Sequence, residues 1–365
     1  MASRPPVIDA DGHVVERESD IRAYLAPPWD RRRTPLRPGD QPWDQGQFAT
    51  HGYLNPENEV LPGIRYALGM SPAEQVAAWH QIMEREGIEH AVCFPTFMGG
   101  IAKNRERDWQ IAVARACNDH FAHEYNARSE RVHCVGVLPL ADPVAAAAEL
   151  RRGATELGLV GFALLTAGLS IGLGDPHYDP LYAEAERLGV PLCFHAARTW
   201  AHEVGGDCFS NFSEIHTYAM TAGQLLHFTS VVYQGLPLRF PKLRMAFLEA
   251  GATWLPYYLD RMDEHWEKRR EETPLLERKP SAVVRDANIY FSLEAGESQL
   301  PQTIDYLGDR HFLYASDIPH WDNEFPESLE QIWEHPALST ETKERLLYGN
   351  AQEFFALGAR ASAPA

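Results

Sequence analysis

Acidic residues and histidines lie close together near the start of the chain, in the sequence VIDADGHVVE. Asp11 and His13 are two residues apart, so their side chains should point to the same side of an extended strand. Glu16 follows where the chain turns out of that strand and could reach the same place, although it could also be a solvated loop carboxylate. Carboxylate and imidazole groups are ligands of divalent transition metals. The pattern therefore predicts a metal site built on the first strand.

Four more candidate ligands come directly after apolar runs later in the chain. His195 ends the sequence LCFH, Glu249 ends FLE, and Asp317 and His320 both belong to ASDIPH. Each apolar run has the composition of a buried strand, so each candidate should lie at the carboxyl end of a strand.

Each of these candidates also has an ordinary structural interpretation. A histidine at a strand end, such as His195, is often only a hydrogen-bonded structural residue. Asp317 before Ile-Pro could stabilise a turn, and Glu249 before Ala-Gly could cap the next helix. A further candidate, His216, lies in the segment after His195, where it competes with His202 and is the weakest member on geometry.

Eight short apolar segments alternate with longer segments of helical periodicity, which is typical of an α/β protein of the (β/α)8 TIM barrel type. The predicted strands are Val7–Val14, His90–Phe97, Arg131–Leu140, Gly158–Thr166, Pro191–Ala197, Arg244–Gly251, Asn288–Glu294 and Phe312–His320. In such a barrel the active site forms at the carboxyl ends of the strands, where these candidates fall. Buried carboxylates without a cation would be costly, so their shared position favours a metal site.

The stretch from Pro27 to Gly69, rich in Pro, Gly and Trp, interrupts the alternation after the first strand. Long loops in compact domains are often functional, so we interpret residues 27–69 as a lid-like insertion at the barrel mouth. No internal repeat or convincing linker divides the chain, which predicts a single domain over residues 1–365.

Composition narrows the possible partners and the compartment. The chain has 365 residues and a formal net charge of −18, which disfavours nucleic acid and membrane surfaces because these select clustered Lys and Arg. The five cysteines lack C-x-x-C spacing and are predicted to be reduced thiols. No uncharged run is long enough to span a bilayer, and no signal-like segment precedes the first acidic residues. We therefore expect a cytoplasmic protein that acts on a small-molecule substrate.

Five sequence segments together resemble the amidohydrolase-related family, in the branch that includes aminocarboxymuconate semialdehyde decarboxylase and the resorcylate decarboxylases. They are VIDADGHVVE, CFHAA, RFPKLRMAFLEAGATWLPYYLDRMDEHW, FLYASDIPH and YGNAQEFF. The resemblance implies a TIM barrel whose metal ligands are Asp11, His13, His195 and Asp317. Barrels of this family commonly pair, so the resemblance also implies a homo-oligomer, most simply a dimer.

The sequence departs from the family pattern at three positions. Hydrolytic members carry His-x-His on the first strand, where this chain has Asp11 and His13, and their two-metal forms use a Lys from strand four. The predicted strand Gly158–Thr166 contains no Lys, and Glu249 stands where decarboxylase-like members have a His after strand six. The usual hydrolytic two-metal centre is therefore not expected.

The full set of candidate ligands resembles a smaller offshoot of the family, the dinuclear oxygenases that include the platensimycin and platencin diterpenoid hydroxylase. The set comprises Asp11, His13, Glu16, His195, His216, Glu249, Asp317 and His320. This resemblance implies two transition-metal ions, most simply iron with manganese or zinc as alternatives. It implies a monooxygenase that uses O2 and an electron donor to hydroxylate an unactivated C–H, in a substrate such as a diterpenoid acid or thioester.

In that interpretation Asp317 and Glu249 are also catalytic, while Arg198 and Trp200 orient the substrate or shield the oxidant. The main alternative is a mononuclear metal enzyme, with zinc or manganese, that decarboxylates or hydrolyses an aromatic or enol acid. Glu16, Glu249 and His320 would then support the ligands or transfer protons. A third hypothesis is a metal-free barrel that is the structural partner of an active paralogue.

Overall fold

The computed structural model describes residues 4–36, 59–166, 169–196, 204–206 and 208–358. The strands of this part of the chain are β1 (Val7–Val14), β2 (Glu59–Leu61), β3 (Ile64–Arg65), β4 (Ile88–Pro95), β5 (Val132–Cys134), β6 (Gly136–Val137), β7 (Phe162–Leu165), β8 (Leu192–His195), β9 (Met245–Leu248), β10 (Ile289–Leu293) and β11 (Phe312–Tyr314). β2 and β3 pair with each other in a small antiparallel ribbon, and the others pair in parallel.

Parallel pairing joins the remaining strands into a closed ring. β1 pairs with β4 and β4 with β5, while β6 to β11 form a second run of neighbours in chain order. β5 and β6 are halves of one barrel strand, interrupted at Val135, whose N–H donates to the Cys93 carbonyl at 3.1 Å. The ring closes where the His13 N–H donates to the Ile318 carbonyl at 2.7 Å. The predicted (β/α)8 barrel is confirmed.

The helices lie on the outside of the ring. They are α1 (Glu18–Arg22), α2 (Pro72–Glu86), α3 (Arg107–Glu124), α4 (Pro143–Thr155), α5 (Asp179–Leu188), α6 (Phe212–Tyr233), α7 (Leu236–Arg239), α8 (Leu255–Lys268), α9 (Pro280–Asp286), α10 (Leu300–Leu307), α11 (Glu327–Trp333), α12 (Thr340–Glu344) and α13 (Asn350–Phe355). Local sequence explains several of their ends. Ser71 and Glu74 form a capping box at the start of α2, and Gly87 ends that helix in the left-handed conformation, at φ 67°.

The hydrophobic core has two layers. The outer layer packs the strands against the helices and includes Phe194 and Phe247, whose rings stack with centroids 4.8 Å apart. The inner layer fills the barrel with small and aliphatic strand residues, such as Ala246 and Leu313. Phe354 and Phe355 of α13 join this inner layer and close the amino end of the barrel, which we call the floor. The opposite end, formed by the carboxyl ends of the strands, is the mouth.

Several strands are shorter than the sequence predicted, and in β9 and β11 the difference falls mainly at the mouth. β11 ends at Tyr314, whereas the predicted strand continued to His320. The chain leaves regular pairing there because the next residues bring polar side chains into the mouth.

The predicted insertion is described only at its two ends. Residues 27–36 contain a 3-10 turn at Trp29–Arg31, and residues 59–69 contain the β2–β3 ribbon. The central part, residues 37–58, lies outside the described residues. Within the part of the chain that the structure describes, no helix combines the length and the apolar character needed to cross a membrane.

Candidate metal centre

A bulge in β1 brings Asp11 and His13 into the mouth. Ala10 faces the barrel interior, so regular alternation would turn Asp11 outward. The pairing of β1 with β4 is irregular between Asp9 and Gly12, where β1 has one residue more than its partner. The extra residue changes the phase of the strand, and the side chains of both Asp11 and His13 face inward.

The outer layer holds this part of β1 in position. A Cβ atom on Gly12 would lie 2.5 Å from the Trp79 ring, so only glycine fits at this point. The Trp79 indole N–H donates to the His13 carbonyl at 3.3 Å, and the Tyr66 hydroxyl donates to the same carbonyl at 3.1 Å. The backbone of the ligand-bearing segment is therefore held in position from the outer side of the barrel.

β8 and β9 contribute His195 and Glu249. His195 is the last residue of β8, and its Nε2 lies 3.3 Å from Asp11 Oδ1 while its Nδ1 lies 2.7 Å from the Ala196 carbonyl. When Nδ1 donates to that carbonyl, Nε2 keeps its lone pair for a metal. Glu249 follows the inward-facing Leu248, and a left-handed conformation at φ 63° turns its side chain into the mouth as well.

The segment after β11 contributes Asp317 and His320. Asp317 also has a left-handed backbone, at φ 55°, and its Oδ1 lies 3.1 Å from His13 Nε2 and 2.6 Å from His320 Nδ1. Glu249 Oε1 lies 3.4 Å from His13 Nε2 and 3.4 Å from His320 Nδ1. Residues other than glycine avoid this conformation, and its cost of about 1 kcal/mol or more is typical of functional sites.

The side chains form two overlapping groups that could each hold an ion, with His13 in both. One group contains Asp11, His13 and His195, and the other contains His13, Glu249, Asp317 and His320. Within each group the candidate ligand atoms lie within 4.8 Å of one another. Six of the eight predicted ligands are therefore brought together.

The hydrogen bonding of this cluster is incomplete. Asp11 Oδ2, both ring nitrogens of His13 and Asp317 Oδ1 are buried atoms that make no well-formed hydrogen bond within the described residues. Buried polar atoms are almost always satisfied in native proteins. A divalent cation would satisfy them, so the donor set fits a metal ion.

The electrostatics of the cluster indicate a need for positive charge. Burial lowers the pKa of His195, but the charges of Glu249 and Asp11 outweigh burial and raise the pKa to about 10. Burial likewise lowers the pKa of His320, and Asp317 raises it well above its usual range. Without a metal, protons on these imidazoles neutralise the carboxylates, and a bound cation would take over that role.

Glu16 lies outside both groups. One of its carboxylate oxygens accepts the Phe97 N–H at 3.0 Å and the other accepts the Met98 N–H at 2.8 Å. These bonds satisfy the start of the 3-10 turn at Met98–Lys103. Both carboxylate oxygens of Glu16 therefore contact this turn, and its predicted ligand role stays a prediction.

His216 lies on α6 and is half-buried. Its ring stacks on Phe212 with centroids 5.1 Å apart and meets Trp321 at 5.6 Å. It belongs to neither ligand group, so its predicted ligand role is likewise still a prediction. Arg198, Trp200 and the competing His202 lie outside the described residues.

Two residues that position the ligands were missed by sequence reasoning, because their signals are weak. The Gln224 side-chain amide of α6 donates to the Phe194 carbonyl at 2.8 Å and to the Leu248 carbonyl at 2.6 Å, just before His195 and Glu249. It clamps the ends of β8 and β9 together. The signal available in the sequence was a glutamine within the apolar segment that forms α6.

The second positioning residue is Asp9, on the outer side of β1. Its carboxylate accepts the Ser316 N–H at 3.0 Å and the Ser316 hydroxyl at 2.5 Å, and so joins β1 to the segment that carries Asp317. Burial raises the pKa of Asp9 to about 7, against the effect of these hydrogen bonds.

Two further acidic groups, Glu294 and Asp322, border the cluster. Both side chains are exposed to solvent at the mouth, but protein atoms surround much of each carboxylate and shift its pKa. Burial first and the charge of Asp317 second raise the pKa of Glu294 to about 8 and that of Asp322 to about 7. Sequence reasoning missed both residues, although Glu294 ends a predicted strand, as the other site residues do.

Comparisons with known proteins find one matching family model and relatives that are named as decarboxylases. A family model described as amidohydrolase matches residues 8–357. The chain is 27% identical over 265 residues to a 2-amino-3-carboxymuconate-6-semialdehyde decarboxylase of Dictyostelium discoideum, covering 72% of this chain and 71% of the relative. It is 30% identical to the decarboxylase orsB of Emericella nidulans over 255 residues, covering 66% of this chain and 75% of the relative.

A solved structure supports the fold. Dihydroxybenzoic acid decarboxylase from a Polaromonas species, with bound manganese and an inhibitor, superposes with a TM-score of 0.71 at 20% identity. The alignment covers 98% of each chain.

These relatives overturn the expectation of an oxidoreductase. The prediction of a dinuclear iron monooxygenase that hydroxylates a C–H is wrong, because the matching relatives are decarboxylases. The oxygenase resemblance depended on a surplus of ligands beyond the needs of one ion. In the described residues that surplus is reduced, since Glu16 and His216 lie outside the ligand groups.

Proposed function

Because the chain belongs to the amidohydrolase family, we propose that it is a metal-dependent decarboxylase of an aromatic or enol carboxylic acid. The observation that carries this proposal is the buried cluster of carboxylates and imidazoles around His13, several atoms of which make no hydrogen bond within the described part of the chain. The relatives support the reaction class, because the two described above are both named as decarboxylases.

We propose a single manganese or zinc ion, held by Asp11, His13, His195 and Asp317. A structural neighbour contains manganese, which supports this choice of metal. When bound, the ion would supply positive charge that attracts the substrate carboxylate and stabilises negative charge as CO2 leaves.

The protein's own residues would orient the substrate and move the proton. Decarboxylation breaks the bond between the ring or enol carbon and its carboxylate, and that carbon must then receive a proton. Asp317 and His320, 2.6 Å apart, form a pair at the mouth that can hold this proton. Phe94 lies under the imidazole of His195, with ring centroids 4.8 Å apart, and keeps water away from the inner side of the site.

The test is CO2 release by protein loaded with manganese or zinc, measured on a panel of hydroxybenzoic and enol acids. We expect about one bound ion per chain and turnover that disappears on chelation and returns with the metal. Metal binding without CO2 release from any acid of the panel would refute the decarboxylase proposal. Absence of metal binding would instead favour a metal-free barrel.

A further inference from the structure

Glu294 is the first residue after β10, which lies between β9 and β11 in the barrel. Leu293 packs in the outer layer, whereas Ser292 faces inward and accepts the Glu249 N–H at 2.8 Å. Alternation then turns Glu294 inward as well, one level nearer to solvent than Ser292. Its carboxylate therefore faces the mouth between the strands that precede Glu249 and Asp317.

The backbone of this turn is fixed by a neighbouring carboxylate. Glu297 accepts the Glu294 N–H at 3.2 Å, the Thr253 N–H at 2.8 Å and the Ala252 N–H at 2.9 Å. Glu297 is thus occupied in holding the two loops together. Glu294 differs from it, because its carboxylate makes no hydrogen bond or ion pair with the described residues.

The surroundings of Glu294 are acidic. Asp317, Asp322 and Glu249 all act on it as negative charges. Asp11 Oδ2, which is almost fully buried and makes no hydrogen bond within the described residues, belongs to the same mouth and adds to its negative charge. A bound divalent ion favours the charged form of Glu294, whose pKa burial raises when no ion is present. One such ion does not balance all of these carboxylates, so a molecule bound beside the ion meets a negative surface at Glu294.

We propose that Glu294 determines substrate specificity by selecting carboxylic acids that carry a protonated amine or another hydrogen-bond donor away from the reacting carboxylate. The inference rests on the proposed function, since the metal must first hold that carboxylate. A donor would bind to the free Glu294 oxygens, and a cation would also neutralise the acidic surface. A second carboxylate on the substrate would instead be repelled.

The experiment measures binding by calorimetry to the manganese-loaded, full-length protein, so it does not require turnover. The probes are the meta and para isomers of (aminomethyl)benzoate, methylbenzoate and benzenedicarboxylate, which share a benzoate and differ in the charge of one substituent. We expect the ammonium compound to bind about tenfold tighter than the methyl compound, and the dicarboxylate to bind most weakly.

Glu294→Gln should abolish most of this preference, whereas Glu294→Asp should keep part of it. The matched control is Glu277→Gln, an exposed residue on the loop after α8, which should leave the preference unchanged. Each variant is checked for unchanged manganese content before titration. Binding with the same preference in Glu294→Gln and wild type overturns this inference alone. Failure of every benzoate to bind the loaded wild type overturns the inference together with the aromatic branch of the proposed function, whereas CO2 release tests the proposed function as a whole.

Discussion

The mouth and the floor of the barrel belong to the same strands but follow opposite rules. At the floor, Phe354 and Phe355 fill the interior, and the Asn350 amide donates to the Asp309 and Phe312 carbonyls at 2.7 and 2.8 Å. At the mouth, several buried polar atoms have no hydrogen-bond partner among the described residues, and both Glu249 and Asp317 have left-handed backbones. The floor contributes stability, whereas the mouth gives up stability for a binding site.

The largest expected effect comes from His13→Ala, because His13 belongs to both ligand groups. We expect manganese to be lost and decarboxylation to fall by about a thousandfold or more. Metal analysis and CO2 release measure the two effects. The matched control is His90→Ala, a half-buried histidine at the start of β4 that pairs with His133 at 3.1 Å. Equal metal loss in both variants would contradict the division between mouth and floor.

Phe354→Ala tests the floor. Removing a fully buried aromatic side chain should lower the free energy of unfolding by about 3–5 kcal/mol, measured by denaturant titration. The folded fraction should still bind about one manganese ion per chain. A variant with near-wild-type stability and impaired metal binding would reverse the roles that we assign to the two ends.

Gly12→Ala tests the bulge of β1. The new methyl group would collide with Trp79, so we expect a loss of about 1–3 kcal/mol and weaker manganese binding through displacement of His13. Gly349→Ala is the control, since the nearest atom to its new Cβ would be 4.0 Å away. If Gly12→Ala weakened neither stability nor metal binding, the close fit behind β1 would not position the site.

The smallest expected effect is a pH dependence of stabilisation by the metal. In metal-free protein, burial lowers the pKa of His195, but Glu249 and Asp11 raise it to about 10. Its protonation stabilises the folded state fully below about pH 6.5, the usual histidine value, and this contribution is lost as pH rises through 10. Manganese should therefore raise the melting temperature by a few degrees more at about pH 9 than at about pH 6. An equal rise in melting temperature at both pH values would contradict the competition between manganese and the proton on His195.

Alternation and strand ends predicted much of the fold and of the site. Regular elements have a local signature, so the barrel and the positions of His195 and Asp317 follow from the apolar runs before them. The inward turn of Glu249 could not be predicted, because it depends on one left-handed residue. The bonds of Glu16 to Phe97 and Met98 join residues more than 80 positions apart, and only the closed barrel brings them together.

The wrong prediction of a monooxygenase has the same cause, because contacts between residues far apart in the chain cannot be read from the sequence. Counting ligand types along the sequence gave eight candidates and so favoured two ions, but a count does not show that Glu16 accepts backbone N–H groups or that His216 stacks on Phe212 in the folded chain. Glu294 was not among the candidate ligands, because its role in the mouth depends on the strands on either side of it.

The extra residue in β1 makes the site sensitive to insertions and deletions. A substitution at Ala10 alters one side chain, but one extra residue inserted between Asp11 and His13 would change the phase of β1 again and separate these two residues by an odd number of positions. Asp11 and His13 would then no longer both face inward, although every ligand type would still be encoded. In genetic terms, the spacing of this segment carries functional information that a comparison of residue identities alone would miss.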